Sequence, residues 1–160
     1  MVLPGPPHYH LVVYFAIDDE SLLEPPVGRT VKPYTHLVNK FLFGSDDDFR
    51  DRTLKMIPNV AEGNFFLKRA IGNSPVILGR NLTQKIIRTD RYLEAVIDVS
   101  SSTMTEKLLK IASAYGGTIV LNIAFVIEGQ NESELPEQIL GSVQVSNEDF
   151  DEKIRFVQKA

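Results

Sequence analysis

The 160-residue chain carries 17 Lys and Arg against 21 Asp and Glu, a net charge of −4, and is 43% hydrophobic. That length suits one domain, spanning 1–160, able to bury about 70% of its unfolded surface, and the composition is that of a globular protein rather than a disordered tail. The acidic balance argues against nucleic-acid partners, and the absence of cysteine excludes disulfides, thiol catalysis and cysteine zinc sites and suits a cytoplasmic setting.

The N-terminal MVLPGPPHYH lacks the basic and apolar regions of a signal peptide, and its PGPP reads as a linker or module edge. Tyr9 to Ile17 is expected as a strand buried on both faces, from its Val, Tyr and Phe content. Asp18 to Lys32, with Pro25, Pro26 and Gly28, is expected as a long loop. Tyr34 to Phe43 places Leu37, Val38, Phe41 and Leu42 at helical spacing, and Gly44 closes that helix. Ser45 and Asp46 to Asp48 then offer caps for another turn.

Four strands are expected next: Thr53 to Ile57, Asn64 to Ile71, Leu82 to Thr89 and Tyr92 to Ser100. Their short connections predict an antiparallel meander. In the last strand Leu93, Ala95, Ile97 and Val99 form an apolar face, while Tyr92, Glu94, Val96 and Asp98 lie opposite. Thr103 and Glu106 form a capping box for a helix striped by Met104, Leu108, Ile111 and Tyr115 and stopped at Gly116-Gly117. Thr118 to Ile127, the longest apolar run, is too short for the ~20 residues of a membrane span and reads as a central strand. Ser133 to Leu140 is expected as a short helix, Val143 to Val145 as an edge strand, and Phe150, Ile154 and Val157 mark a last amphipathic helix. The sum is an α+β fold: a mostly antiparallel, curved sheet with helices packed on one face, of which a START-like arrangement is one form.

The motifs of cofactor and phosphate chemistry are missing: there is no G-x-S-x-G elbow, P-loop or G-x-G-x-x-G, and no cofactor is expected. His8 and His10 lack a matching acidic partner, and Asp46 to Asp48 lack the glycine and glutamate of a calcium loop, so no metal is expected. Lys68 to Arg91 holds Lys68, Arg69, Arg80, Lys85, Arg88 and Arg91 against the single acid Asp90. Converged, these side chains would form a patch for phosphate head groups; dispersed, they are the solvated faces of a meander. Glu94 and Asp98 stand about 13 Å apart along one strand, too far for an acid–base pair without a neighbouring strand.

Several motifs then occur in a specific order. They include P-x-H-Y-x-L-V-x-Y-F-A at Pro6 to Ala16, D-D-x-F-R-x-x-x-x-K-x-I-P from Asp46 to Pro58, E-G at Glu62-Gly63 and L-G at Leu78-Gly79. Y-L-E follows at Tyr92 to Glu94, D-x-x-S-S at Asp98 to Ser102, and E-L-P-E-x-x-L-G at Glu134 to Gly141. Together they resemble the C-terminal domain of the plant enhanced-disease-resistance-two family. The chain departs from that pattern at Phe65, Val96 and Ser100, which makes it a distant member. The resemblance implies a role in lipid binding or lipid-dependent regulation at membranes, with plant members linked to defence and cell-death control. It implies no catalytic residue.

Three functions follow as expectations. The first is a non-enzymatic, membrane-peripheral lipid-binding module. Phe15, Phe65, Tyr92, Tyr115 and Phe125 would line an apolar site, and Lys68, Arg69, Lys85, Arg88 and Arg91 would contact an anionic membrane surface. The second is a protein-interaction module using the Asp18 to Lys32 loop and the C-terminal helix. The third is a hydrolase or transferase built on Glu94, Asp98 and Ser101.

Overall fold

The computed structural model describes residues 2–3, 9–17, 32–102 and 119–146. The first long helix, α1 (Pro33–Phe43), forms where the spacing predicts it. Proline at the first helical position lacks an N–H that the helix would leave unpaired anyway. Tyr34, Leu37, Val38 and Phe41 recur on one face, all buried, and Lys40 sits in the last turn, where the helix dipole favours a cation. A second helix, α2 (Asp47–Thr53), starts at Asp46, whose carboxylate accepts the Phe49 N–H at 2.9 Å. The triple aspartate therefore caps a helix, the ordinary use of such residues.

Among the described residues, eight strands divide between two sheets. One sheet has the order β2-β1-β6-β5, built from β1 (Val2–Leu3), β2 (Tyr9–His10), β5 (Thr83–Arg88) and β6 (Leu93–Asp98). The other has the order β4-β3-β7-β8, from β3 (Leu54–Glu62), β4 (Val76–Ile77), β7 (Val120–Ile127) and β8 (Ile139–Ser146). Two further helices, α3 (Phe65–Ile71) and α4 (Leu78–Asn81), lie in the connections. The class is the expected one: α+β, with antiparallel pairing except for the single parallel contact of β1 with β6.

Four local expectations are corrected. The strands do not form one meander, because β3 pairs with β7, from Leu54 opposite Ile127 to Glu62 opposite Val120, instead of with its chain neighbours. Asn64 to Ile71 is helical, closed by Gly72 at φ 66°, whose N–H reaches the Lys68 carbonyl at 2.9 Å. Ser133 to Leu140 is no helix: one short 3-10 turn, Glu132–Glu134, precedes a cis Leu135–Pro136 bond and the start of β8, which absorbs the expected edge strand. Of Tyr9 to Ile17, strand β2 takes up Tyr9–His10, and Val12, Tyr14 and Ile17 beyond it are exposed rather than buried. The Asp18 to Lys32 loop apart from Lys32, the capping-box helix with Tyr115, His8 and the C-terminal helix lie outside the described residues.

The main core occupies the seam between the sheets. Leu37, Val38 and Phe41 of α1 and Leu78 of α4 meet Ile97 and Val99 from the first sheet and Leu54 and Ile127 from the second. Each such fully buried side chain is worth about 1.5–3 kcal/mol of transfer free energy, so this cluster is what joins the two sheets. The expected apolar face of β6 is the one it buries. A smaller cluster, Val60 and Ile119 with Ile71 and Leu121, holds α3 against β3 and β7.

Candidate functional site

The Asp98 junction closes the first sheet. The Asp98 carboxylate accepts the Ser100 N–H at 2.9 Å and the Ser100 hydroxyl at 2.6 Å. Ser101 donates its hydroxyl to the Asp98 carbonyl at 2.6 Å and accepts the Thr83 N–H at 2.8 Å. The hydroxyl of Ser100 holds the Asp98 carboxyl below its usual range, because these donors favour the charged form. Across β5, Asp98 faces Thr83 and Glu94 faces Ile87, so neither meets a second acid. The Ser101 proton is directed at a backbone carbonyl rather than at a base. This arrangement ties a 3-10 turn to the end of a hairpin, which accounts for the D-x-x-S-S pattern structurally.

The other motifs are equally committed to the fold. Arg50, 1% exposed, donates to the carbonyls of Phe41 at 2.7 Å and Gly44 at 2.5 Å and pairs with Asp47 at 2.7 Å. Arg88 reaches the same helix end from β5, donating to the Phe43 carbonyl at 3.0 Å and to that of Gly44. Two guanidinium groups thus satisfy the carbonyls that a helix C-terminus leaves unpaired. A Cβ on Gly79 would stand 2.6 Å from the Asp51 backbone, so the L-G pair lets α4 lie directly on α2. In E-L-P-E-x-x-L-G, Glu134 accepts the Gln130 N–H at 2.6 Å. Glu137 takes Lys55 Nζ at 2.6 Å and the Gly129 N–H at 3.2 Å. The Phe15 ring lies over Gly141, where a Cβ would come within 2.6 Å of it.

Of the five aromatics proposed for an apolar site, the four that are described stand in three separate places. Phe15 packs edge-on against Phe125, ring centroids 6.0 Å apart, over β7 and β8. Phe65 stands on α3 beside Phe66, also at 6.0 Å, and Tyr92 is exposed at the turn from β5 to β6. Tyr115 lies outside the described residues.

The basic residues separate as well. Lys68 and Arg69 are exposed on α3, whereas Lys85, Arg88 and Arg91 belong to the β5–β6 hairpin. Lys85 and Arg88 occupy opposite faces of β5, since they differ by an odd number of residues. Lys85 shares its face with Val96, and Arg88 is turned toward α1.

A shallow cleft of about 270 Å³ lies between α3 and β3, lined by Asn59, Val60, Lys68, Gly72 and Asn73. Lys68 Nζ donates to the Ala61 carbonyl at 3.1 Å, which leaves further N–H donors on the same ammonium. The amides of Asn59 and Asn73 and the Lys68 cation suit an oxygen-rich anion rather than an acyl chain. No signal in the sequence marked Asn59 or Asn73, because the cleft exists only once Asn64 to Ile71 folds as a helix. Gly72, with Lys68 and Arg69 before it, was the stop signal that could have shown that helix. Among the described residues no group of His, Asp or Glu is placed to hold a metal ion, and no helix is long and apolar enough to cross a membrane.

Comparison with known proteins adds two findings. The family model described as "Protein ENHANCED DISEASE RESISTANCE 2, C-terminal" matches residues 1–149. The chain is also similar to "Protein ENHANCED DISEASE RESISTANCE 2-like" of Arabidopsis thaliana, 32% identical over 145 residues, covering 91% of this chain and 18% of that protein. The chain thus spans less than a fifth of that relative's length, and no solved structure matches it.

Proposed function

The chain belongs to the ENHANCED DISEASE RESISTANCE 2 C-terminal family, and from that premise we propose that it is a non-enzymatic regulatory module that docks on anionic lipid surfaces. The observation that carries the reading is the cleft at α3, where Lys68 and two asparagines line a polar concavity at the protein surface. Its lining favours a head group over a buried acyl chain, so the membrane-peripheral form of lipid binding takes precedence over an internal lipid pocket. Attachment is then peripheral, by surface contact from the cytoplasmic side. A hydrolase or transferase reading has less support, since Asp98 and Ser101 are engaged in closing the hairpin. Co-sedimentation of the purified chain with vesicles tests the proposal. Vesicles of phosphatidylcholine containing phosphatidylserine or a phosphoinositide should pellet the protein at low salt, and pure phosphatidylcholine should not. Equal recovery with both, or no recovery with either, would overturn it.

A further inference from the structure

Helix geometry sets which way each side chain of α3 points. Successive residues turn by about 100°, so Ile71 lies roughly opposite the arc that contains Phe65, Arg69 and Phe66. Ile71 packs into the small cluster with Val60 and Ile119, which fixes the inward direction. The outward ridge of the helix is therefore Phe65, Arg69 and Phe66. The exposures agree: Phe65 is 69% and Phe66 81% exposed, and their rings meet edge to face. An outward helix face normally carries polar residues; here it carries two adjacent phenylalanines beside an arginine. Lys68 stands between this ridge and the cleft that it lines.

We infer that Phe65 and Phe66 form a wedge that enters the interfacial region of an anionic bilayer, while Arg69 and Lys68 meet the head groups around it. The inference rests on the lipid-surface reading above and names the element that makes the contact. A membrane is the occupant that fits, because the apolar pair and the cations are interleaved on one short convex ridge. Aromatic rings settle at head-group depth, and cationic side chains beside them face anionic lipid. Glu62, at the end of β3, is the acid nearest the ridge along the chain.

The absence of tryptophan makes the test direct. In the full chain, Phe66→Trp introduces a single reporter, and Tyr92→Trp places one at the exposed hairpin turn of the other sheet. With phosphatidylserine-containing vesicles, emission from position 66 should shift to the blue and be quenched by brominated lipid, and emission from position 92 should not. Phe65→Ala with Phe66→Ala should lower vesicle binding by about tenfold for each ring, and removing Lys68 and Arg69 by roughly fivefold for each charge. If the wild-type chain pellets with vesicles but position 66 reports no change, or position 92 shifts instead, the wedge is refuted and the lipid-surface reading stands. If the wild-type chain pellets with no vesicle, both fail, and the aromatic pair is a protein contact.

Discussion

At the C-terminal end of α1 Arg50 and the rings of Phe41 and Phe49 are turned into the fold, whereas on α3 an arginine and two phenylalanines are turned out of it. Around α1, Arg50 and Arg88 bind the last carbonyls of the helix, and Lys40 lies 4.0 Å over the Phe49 ring. On α3, seven residues long, Phe65, Phe66 and Arg69 face solvent, and Ile71 anchors the helix in the small cluster. The same residue types thus do opposite work. Where Arg50, the helix carbonyls and the rings of Phe41 and Phe49 pack together they fix the geometry of the seam between sheets; where cation and ring are exposed together they are available for another surface. Motifs shared with the family fall largely on the first kind of region. Function, on this account, lies in the second.

If the α1 region is structural, damage there should be severe. Arg50→Ala leaves the buried Phe41 carbonyl without its donor, takes one of two donors from the Gly44 carbonyl and empties a buried volume, and the expected loss is about 2–4 kcal/mol in denaturant unfolding. A loss under 1 kcal/mol would mean that water or Arg88 can replace it. Gly79→Ala forces a methyl against the Asp51 backbone and should cost about 2–3 kcal/mol, because neither α2 nor α4 can rotate out of the way. Gly141→Ala meets only the Phe15 ring, a side chain at the surface that can swing aside, and should cost about 1 kcal/mol.

The Asp98 junction sharpens the comparison through pH. Its carboxyl titrates below the ordinary value of 3.8 in the folded chain, so its contribution is complete above that value and is lost as pH falls through the lower, folded one. The thermal midpoints of the wild type and Asp98→Asn should therefore differ at neutral pH and converge below pH 3.8. A gap that persists in acid would show that the Ser100 bonds do not depend on the charge. The smallest effect is expected on α3. Phe65→Ala with Phe66→Ala should change stability by no more than about 0.5 kcal/mol, as befits exposed side chains. A larger loss would place these rings among the structural residues after all.

Local pattern exposed part of this division. The spacing of Leu37, Val38 and Phe41 and the alternation of Leu93 to Val99 are each decided within a few residues, and both elements form where expected. The pairing of β3 with β7 joins segments more than fifty residues apart and leaves no local trace, which is why short connections suggest a meander instead. Phe65 and Phe66 favour a strand by propensity, whereas the bond from Lys68 N–H to the Asn64 carbonyl and the Gly72 stop make a helix. Within the expected Ser133 to Leu140 helix, Glu134 and Glu137 instead serve as acceptors for loop N–H groups and for Lys55. Of the candidate site, Lys68, Arg69 and Phe65 were visible as charge and aromatic content. Their grouping apart from Lys85, Arg88 and Arg91 depended on which sheet each element joined.

Hydrogen exchange of the backbone amides, with and without phosphatidylserine-containing vesicles, tests the central claim most directly. The account predicts that added protection concentrates at residues 65–73, the helix and the wall of its cleft. Protection centred on the β5–β6 hairpin, or no protection in a chain that binds the vesicles, would contradict it.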